Sequence, residues 1–394
     1  MKYNILFLLK SFEIGGLEVV TAVLANKFVS EGHSVALWAF YEGKTTLADR
    51  LDSRVPITYG YGFNSSKENI ESLRNIITQR NIQIVINQWG LPYVPAMTLK
   101  KAAYNLDVKS IAVYHNDPAT NGRLKEVEIA LERCDNPIKR LSLKLKFNII
   151  KAITSASMRY IYNCSDRFMV LSDSFVAHFK NFTRIGDPKK LVVQTNPVTI
   201  VDVNGMTGHT DKLKEVIYMG RLDYNQKRVH RIIETWALIE NRFEDWRLTI
   251  VGDGSERKNM ERLANDLNLR RVSFEGFQQP EPYYERASVL VLASEYEGFP
   301  LVLAECMSFG VVPVVYGSYS AVYDIIKSGV NGMVVAPQDD GFHAEAMAEA
   351  LTLVMGDDEK RSRMAQQAVV TSREYSVDTI YRQWTKVFND ILNE

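Results

Sequence analysis

Three cysteines in 394 residues, Cys134, Cys164 and Cys306, are too scattered for a disulfide framework or a paired-cysteine metal site, and their number is odd. Histidine is also scarce: there are six, none spaced four apart, so the usual helical pair of histidine ligands is excluded. Net charge is absent, with 47 basic residues against 47 acidic ones, which argues against a protein that holds nucleic acid by overall positive charge. No apolar run approaches the length of a membrane span. Neither a low-complexity tract nor a repeat shorter than a domain is evident. The opening Met1-Lys2-Tyr3-Asn4-Ile5-Leu6-Phe7-Leu8-Leu9-Lys10 lacks a small-residue cleavage site and runs directly into a Gly-Gly turn. It reads as a first strand, and cytoplasmic residence is the expectation.

What remains is an ordinary globular composition, 46% apolar, on a chain long enough for two domains with full cores. Strand-like runs recur at Tyr3–Leu9, Ser34–Phe40, Ile82–Asn87, Ser110–Tyr114 and Arg167–Leu171. A second series follows at Glu215–Met219, Arg247–Val251, Val272–Glu275, Ser288–Leu292, Val311–Val315 and Met333–Val335. Helical periodicity fills most gaps, as in Leu17–Ser30, Ile70–Arg80, Val229–Ile239 and Ser255–Leu267. Strands alternating with helices imply parallel, doubly wound sheets. Pro197 to Lys212, polar and glycine-bearing, is the expected linker between two Rossmann-like domains that face one another across a cleft.

The most informative stretch is Glu295 to Glu305, Glu-Tyr-Glu-Gly-Phe-Pro-Leu-Val-Leu-Ala-Glu. It follows a buried-strand run and leads into a short helix, with Pro300 suited to the first helical position and Gly310 to its end. Glu305 lies on a helix with almost no polar face, so its carboxylate needs donors, and the vicinal hydroxyls of a ribose would serve. Glu297 precedes the helix and is expected to stay ionised near its positive end. The alternative is a solvated turn acid plus a glutamate paired with a neighbouring cation.

Other loops carry candidates of the same kind. Gly15-Gly16, between strand and helix, lets backbone N–H groups approach a phosphate or sugar, although a plain tight connection also explains it. The GxGxxG dinucleotide fingerprint is absent. Arg221 and Lys227, in Gly220-Arg221-Leu222-Asp223-Tyr224-Asn225-Gln226-Lys227-Arg228, are placed to converge on one diphosphate or to form an exposed basic loop. Gly252-Asp253-Gly254-Ser255 reads as a ligand-facing turn or as a helix cap with Ser255 at or near the N-cap. His115 sits just past a strand end, followed by Asn116 and Asp117. Residues 138–161 are basic and apolar, with no acidic residue between Asp135 and Asp166. They form a solvated helix face or dock on anionic lipid, where each basic residue contributes about 1 kcal/mol.

The segment from Glu297 to Glu305 resembles the Glu-x7-Glu motif of retaining GT-B glycosyltransferases of family 4 (glycosyl transferases group 1). The resemblance covers nearly the whole chain and is strongest over residues 215–335. It implies a GT-B fold, with an acceptor-side domain of residues 1–200, a nucleotide-sugar domain of residues 201–376, and a last helix, within 377–394, that crosses back to the first domain. In that family the first Glu contacts the donor sugar and the second the ribose, roles that fall on Glu297 and Glu305, with N–H groups around Gly298, Phe299, Pro300 and Leu301 assisting. Arg221 and Lys227 match a Gly-Arg…Lys signature that holds the donor diphosphate, but Arg228 stands where glycine is usual. Gly15 and Gly16 match a glycine pair beside the diphosphate, Gly252 and Gly254 the nucleotide side, and Phe277 the nucleobase contact. His115 matches a histidine near the reacting face of the sugar, and Asn116 and Asp117 are acceptor-side candidates.

The reaction implied is transfer of a sugar from a nucleotide diphosphate sugar, UDP-linked in most similar enzymes, to a saccharide or lipid-linked acceptor hydroxyl. It proceeds with retention and without cofactor or metal. Asp339-Asp340 is expected to be solvated rather than a metal ligand. The setting implied is bacterial surface-polysaccharide synthesis, in the cytoplasm or at the inner face of the cell membrane, with peripheral membrane contact through residues 138–161. The alternatives are a GT-B-like nucleotide-sugar epimerase and a non-catalytic glycosyltransferase-like partner subunit.

Overall fold

The computed structural model describes residues 1–13, 15–43, 47–132, 134–201 and 212–394. The contacts divide the chain into two units, residues 1–199 with 377–394, and residues 200–376. Of the linker expected at Pro197–Lys212, residues 202–211 lie outside the described residues.

In the first unit the strands are β1 (Asn4–Leu9), β2 (Ser34–Ala39), β3 (Ile57–Tyr59), β4 (Ile84–Asn87), β5 (Lys109–Tyr114), β6 (Arg167–Val170) and β7 (Leu191–Val193). They form a parallel sheet in the order β3-β2-β1-β4-β5-β6-β7. The chain winds one way from β1 to β3 and the other way from β4 onward, so the switch point lies between β1 and β4. Helices cover both faces, and β1, β2 and β4 are almost wholly buried because both sides are packed. The edge strands β3 and β7, three residues each and half-buried, are absent from the sequence reading. They offer no buried apolar run for a pattern to detect.

The C-terminal helix Val377–Leu392 belongs to this first unit and packs on the Gly16–Ser30 helix. Its Phe388 ring meets those of Tyr3 and Phe28 edge-on, at 5.5 Å each. Asp378 pairs with Lys27 at 2.5 Å, and the Tyr381 hydroxyl lies 3.0 Å from Nε2 of His33.

The second unit holds β8 (Leu213–Met219), β9 (Arg247–Val251), β10 (Val272–Gly276), β11 (Ala287–Leu292), β12 (Val312–Tyr316) and β13 (Met333–Val335). Their order is β10-β9-β8-β11-β12-β13, again parallel. Here the switch point falls between β8 and β11, which are in register at Val216 with Val289 and Ile217 with Leu290. All six residues of β11 are buried. Ligands of open α/β sheets bind beyond the carboxyl ends of strands at such a point. The loops after β8 and β11 carry Arg221, Lys227 and Glu297.

Candidate active site

The loop after β8 is shaped by backbone contact with its neighbour. Gly220 N donates to the Val251 carbonyl (3.0 Å), Leu222 N to that of Asp253 (2.9 Å), and Glu256 N to that of Leu222 (3.2 Å). A Cβ on Gly252 would lie 1.8 Å from the Gly220 oxygen, and one on Gly254 2.2 Å from the Leu222 oxygen. These two glycines therefore let two loops interlock, a close approach that any side chain would prevent. Ser255 falls next to the N-cap rather than on it. The helix begins at Arg257, and Glu256 holds the N-cap position without a side-chain bond. Ser255 lies in the turn ahead, where the stitch between loops sets the helix start.

Pairing of β8 with β11 brings Lys227 to Glu297. The Lys227 ammonium lies 2.6 Å from Oε1 of Glu297, and the Gln226 amide donates to Oε2 at 3.2 Å. Glu295 N donates to the Gln226 carbonyl at 2.7 Å and fastens the two loops together. Glu297 is only 6% exposed, so the ion pair is largely withdrawn from water. Three buried hydroxyls in the strand-end loops of this unit, on Ser294, Tyr319 and Ser320, have no hydrogen-bond partner among the described residues. Burial, and then the charge of Glu297, pushes the Tyr319 hydroxyl well above its ordinary pKa. Tyr218 is shifted upward by the same two causes, and its hydroxyl donates to the Arg221 carbonyl at 2.8 Å.

Arg221 and Lys227 are placed differently. The Arg221 side chain is 65% exposed, with Nε on Asp223 (2.9 Å) and a terminal nitrogen on the Gln226 amide oxygen (3.1 Å). Lys227 is mostly buried against Glu297. Arg228, where glycine was expected, adopts the left-handed conformation, φ +50° and ψ +43°. That left-handed conformation is one a glycine adopts without strain. The Arg228 guanidinium stacks 4.6 Å from the Tyr224 ring centre and lies 3.7 Å from Glu295.

Beyond Glu297, Pro300 occupies the N-cap rather than the first helical position, and the helix runs Leu301–Ser308. Gly310, at φ +68°, takes the left-handed turn that ends it. Gly298 is buried, and the Phe299 ring packs edge-on against Tyr375 at 5.2 Å. Glu305 is 6% exposed, and the Tyr284 hydroxyl donates to its Oε2 at 3.1 Å. One donor that the buried carboxylate requires thus comes from the protein itself. Phe277 follows Gly276 at the carboxyl end of β10 with its ring exposed. Asp340 pairs with His343 at 2.6 Å, and no cluster of three potential metal ligands occurs among the described residues.

In the first unit, Gly15 is the extended N-cap of the Gly16–Ser30 helix. The Glu18 carboxylate folds back over it, 2.4 Å from where a Gly15 Cβ would stand. Burial, with the charge of Glu13 adding to it, raises the Glu18 pKa to about 6. His115 Nε2 lies 2.7 Å from Oε1 of Gln88, and burial lowers the imidazole to about 4, leaving it neutral at pH 7. Asn116 is exposed. Asp117 is buried, accepting from Ala119 N at 2.8 Å and lying 2.8 Å from Nδ1 of His178. Asp117, an acceptor-side candidate, is thus also engaged within its own unit.

Residues 205–370 match the family described as glycosyl transferases group 1, and residues 14–200 match glycosyltransferase family 4. The chain belongs to these GT-B glycosyltransferases. Over 236 residues it is 28% identical to a Campylobacter jejuni α-1,4-N-acetyl-D-galactosaminyltransferase, named for its action on an undecaprenol-diphosphate-linked saccharide. That stretch is 60% of this chain and 63% of the Campylobacter enzyme, less than two thirds of its length. The amylovoran biosynthesis glycosyltransferase AmsD of Erwinia amylovora is 23% identical over 99% of this chain and all of its own. Among solved structures, Anabaena Alr3699/HepE in complex with UDP superposes with a TM-score of 0.74 at 16% identity, covering 98% of this chain and 100% of that one. The pneumococcal O-GlcNAc transferase GtfA, in complex with UDP and GlcNAc, gives 0.75 at 11% identity, with 100% of each chain covered. At such identities these structures establish the GT-B fold alone.

Several residues that hold these candidates in place were not singled out by the sequence. Gln226, Tyr218 and Tyr319 surround the Lys227–Glu297 pair, Tyr284 serves Glu305, and Gln88 and His178 hold His115 and Asp117. Gln88 left one signal: Asn87-Gln88 is a polar pair closing an apolar strand run, and both amides have a buried nitrogen without a partner.

Proposed function

We propose that this glycosyltransferase moves a sugar from a nucleotide diphosphate sugar, UDP-linked, to a hydroxyl of a saccharide or lipid-linked acceptor in surface-polysaccharide synthesis, with retention at the anomeric carbon. The buried Lys227–Glu297 pair at the β8–β11 switch point carries this reading. A diphosphate leaving group gains negative charge as the sugar departs, and a preorganised ammonium offsets it without rearrangement. Lys227 fills that role, with Arg221 adding a planar fork from the same loop. Glu297, freed from part of its hold on Lys227, accepts from sugar hydroxyls, and the unpartnered hydroxyls of Ser294, Tyr319 and Ser320 supply further polar contacts.

Glu305, buried and accepting from Tyr284, is assigned to the ribose hydroxyls on the resemblance of its motif, and the exposed Phe277 ring offers a face to the base. In the first unit, Gly15, Gly16 and His115 are assigned to the donor, and Asn116 and Asp117 to the acceptor, on the resemblance of their motifs. No cofactor or metal is required in this scheme, because cationic side chains and backbone N–H groups balance the charge. A structural relative was solved with UDP-glucose bound, which favours testing uridine donors first.

Calorimetry with UDP, GDP and ADP, without added metal, tests the donor assignment. Selective UDP binding, followed by acceptor-dependent release of UDP from one UDP-sugar, is the expected result. A folded protein that binds none of the three, or that prefers another diphosphate, overturns it. Conversion of the donor without acceptor would replace transfer by epimerisation, and an inverted anomer in the product would remove the retaining mechanism.

A further inference from the structure

Three aromatic rings and one ammonium group gather at the carboxyl edge of the first sheet. Lys10 follows β1, Tyr41 lies just past β2, and Gln88 and Trp89 follow β4, so they stand beside the β1–β4 switch point. Backbone contacts fix them there. Tyr41 N donates to the Lys10 carbonyl at 3.3 Å, and Gln88 N to that of Leu8 at 3.0 Å. Gly90 N donates to the Val113 carbonyl at 2.9 Å, and a Cβ on Gly90 would stand 2.5 Å from that oxygen, so only glycine permits the approach. The Lys10 ammonium lies 5.2 Å from the Trp89 ring centre, 5.7 Å from that of Phe63 and 6.0 Å from that of Tyr41. The lysine and all three aromatic residues are half-buried.

Ring faces attract a cation but do not neutralise it. Among the described residues no carboxylate pairs with the Lys10 ammonium; its charge acts on Glu18 without an ion pair between them. A half-buried cation without a counter-ion, at the ligand edge of an α/β sheet, favours an anion from solution. Beside it, the indole nitrogen of Trp89 and the amide nitrogen of Gln88 are buried without partners. Gln88 lies against His115 through its oxygen, which leaves that nitrogen as a donor for a polar ligand. Aromatic faces next to polar groups suit a pyranose, which has a C–H face and a rim of hydroxyls. A bare diphosphate makes no use of such faces, and the proposed donor site already supplies Arg221 and Lys227.

We propose that Lys10, with Trp89 and Phe63 beside it, selects an acceptor saccharide that carries a negative charge, the carboxylate of an acidic sugar or a phosphate on the saccharide. This inference rests on the transfer reading above and adds the class of acceptor. Four of the five tryptophans, Trp38, Trp236, Trp246 and Trp384, are at most 2% exposed, so a fluorescence change on binding reports Trp89. The full chain, with UDP present to fill the donor site, is titrated with methyl glucuronide, glucose 1-phosphate and methyl glucoside. At least one charged sugar is expected to bind about tenfold more tightly than the neutral one, as a charge-assisted contact implies. Which of the two does so separates a carboxylate from a phosphate.

Lys10→Met, which keeps an apolar stem against the rings, should abolish that preference while UDP affinity stays unchanged and the chain remains folded by circular dichroism. Lys10→Arg should retain the preference. Equal affinity for the three sugars, no binding of any of them, or a preference that survives Lys10→Met would overturn the proposal. So would a Lys10→Met variant that binds UDP more weakly, since Lys10 would then serve the donor. A parent protein that binds no UDP would instead sink the donor assignment, and the same titration without UDP would still decide the part played by Lys10.

Discussion

The ammonium of Lys227 and the carboxylate of Glu297, 70 residues apart in sequence, meet at 2.6 Å because β8 and β11 are neighbours. Removing one partner of a buried pair strands the other charge, at a typical cost of about 3–5 kcal/mol. An alanine at position 297 would therefore mix loss of stability with loss of chemistry. Glu297→Gln keeps an oxygen for Lys227 and approximates the shape. It should lower kcat/KM by about a hundredfold, near 2.7 kcal/mol of transition-state stabilisation, with Tm moving by only a few degrees. Steady-state kinetics beside a melting curve separates the two effects, and full activity would remove Glu297 from the proposed role.

Arg221 offers a cleaner comparison because it is largely exposed and its partners share its loop. Arg221→Ala should leave stability within about 0.5 kcal/mol of the parent. A charge-assisted contact with a diphosphate is typically worth about 1.5–3 kcal/mol, so UDP affinity should fall by about tenfold or more. Calorimetry on the parent and variant measures this directly. Unchanged affinity would leave Arg221 as a loop residue held by Asp223.

Arg228 holds a left-handed conformation that costs a residue with a Cβ about 1–2 kcal/mol. Its contacts with Tyr224 and Glu295 offset part of that cost. Arg228→Gly relieves the strain and loses the contacts, whereas Arg228→Ala loses the contacts and keeps the strain. The glycine variant should therefore be the more stable of the two by about 1 kcal/mol, the reverse of the order in an ordinary helix. Chemical denaturation of both proteins gives the order, and a more stable alanine variant would mean that the loop relaxes.

Much of this architecture was legible because it is periodic or local. The buried β11 run, the Pro and Gly that bracket the Leu301–Ser308 helix, and both glutamates are readable within one short segment. Contacts between distant segments were not. Nothing near Glu305 announces that Tyr284, 21 residues upstream, will donate to it, or that Gln226 will reach Glu297 across two loops. Gly252 and Gly254 were recognisable as special, yet their reason, the Gly220–Leu222 backbone beside them, appears only in three dimensions. In the Pro137–Cys164 helix, apolar residues on two opposite faces blur the single stripe that sequence periodicity can register.

Two groups of the first unit give opposing dependences of stability on pH. His115 has an ordinary pKa of 6.5 and a folded value of about 4. On acidification the unfolded chain takes up this proton first, so stability is lost as pH falls from about 6.5 through 4, by up to about 3 kcal/mol. Glu18 has an ordinary pKa of 4.5 and a folded value of about 6. Here the folded chain binds the proton first, so stability is gained as pH falls from about 6 to 4.5, by up to about 2 kcal/mol. Between those limits the two slopes partly cancel. Glu18→Gln should expose the His115 slope: the variant gains stability over the parent at pH 7, and this advantage disappears by pH 4.5. His115→Gln, which can still donate to Gln88, should lose stability less steeply on acidification than the parent. Urea midpoints at pH 7, 6, 5 and 4.5 for the three proteins cancel the background of shared carboxylates. Parallel curves would show that neither group titrates differently on folding, and the burial argument for both would fail.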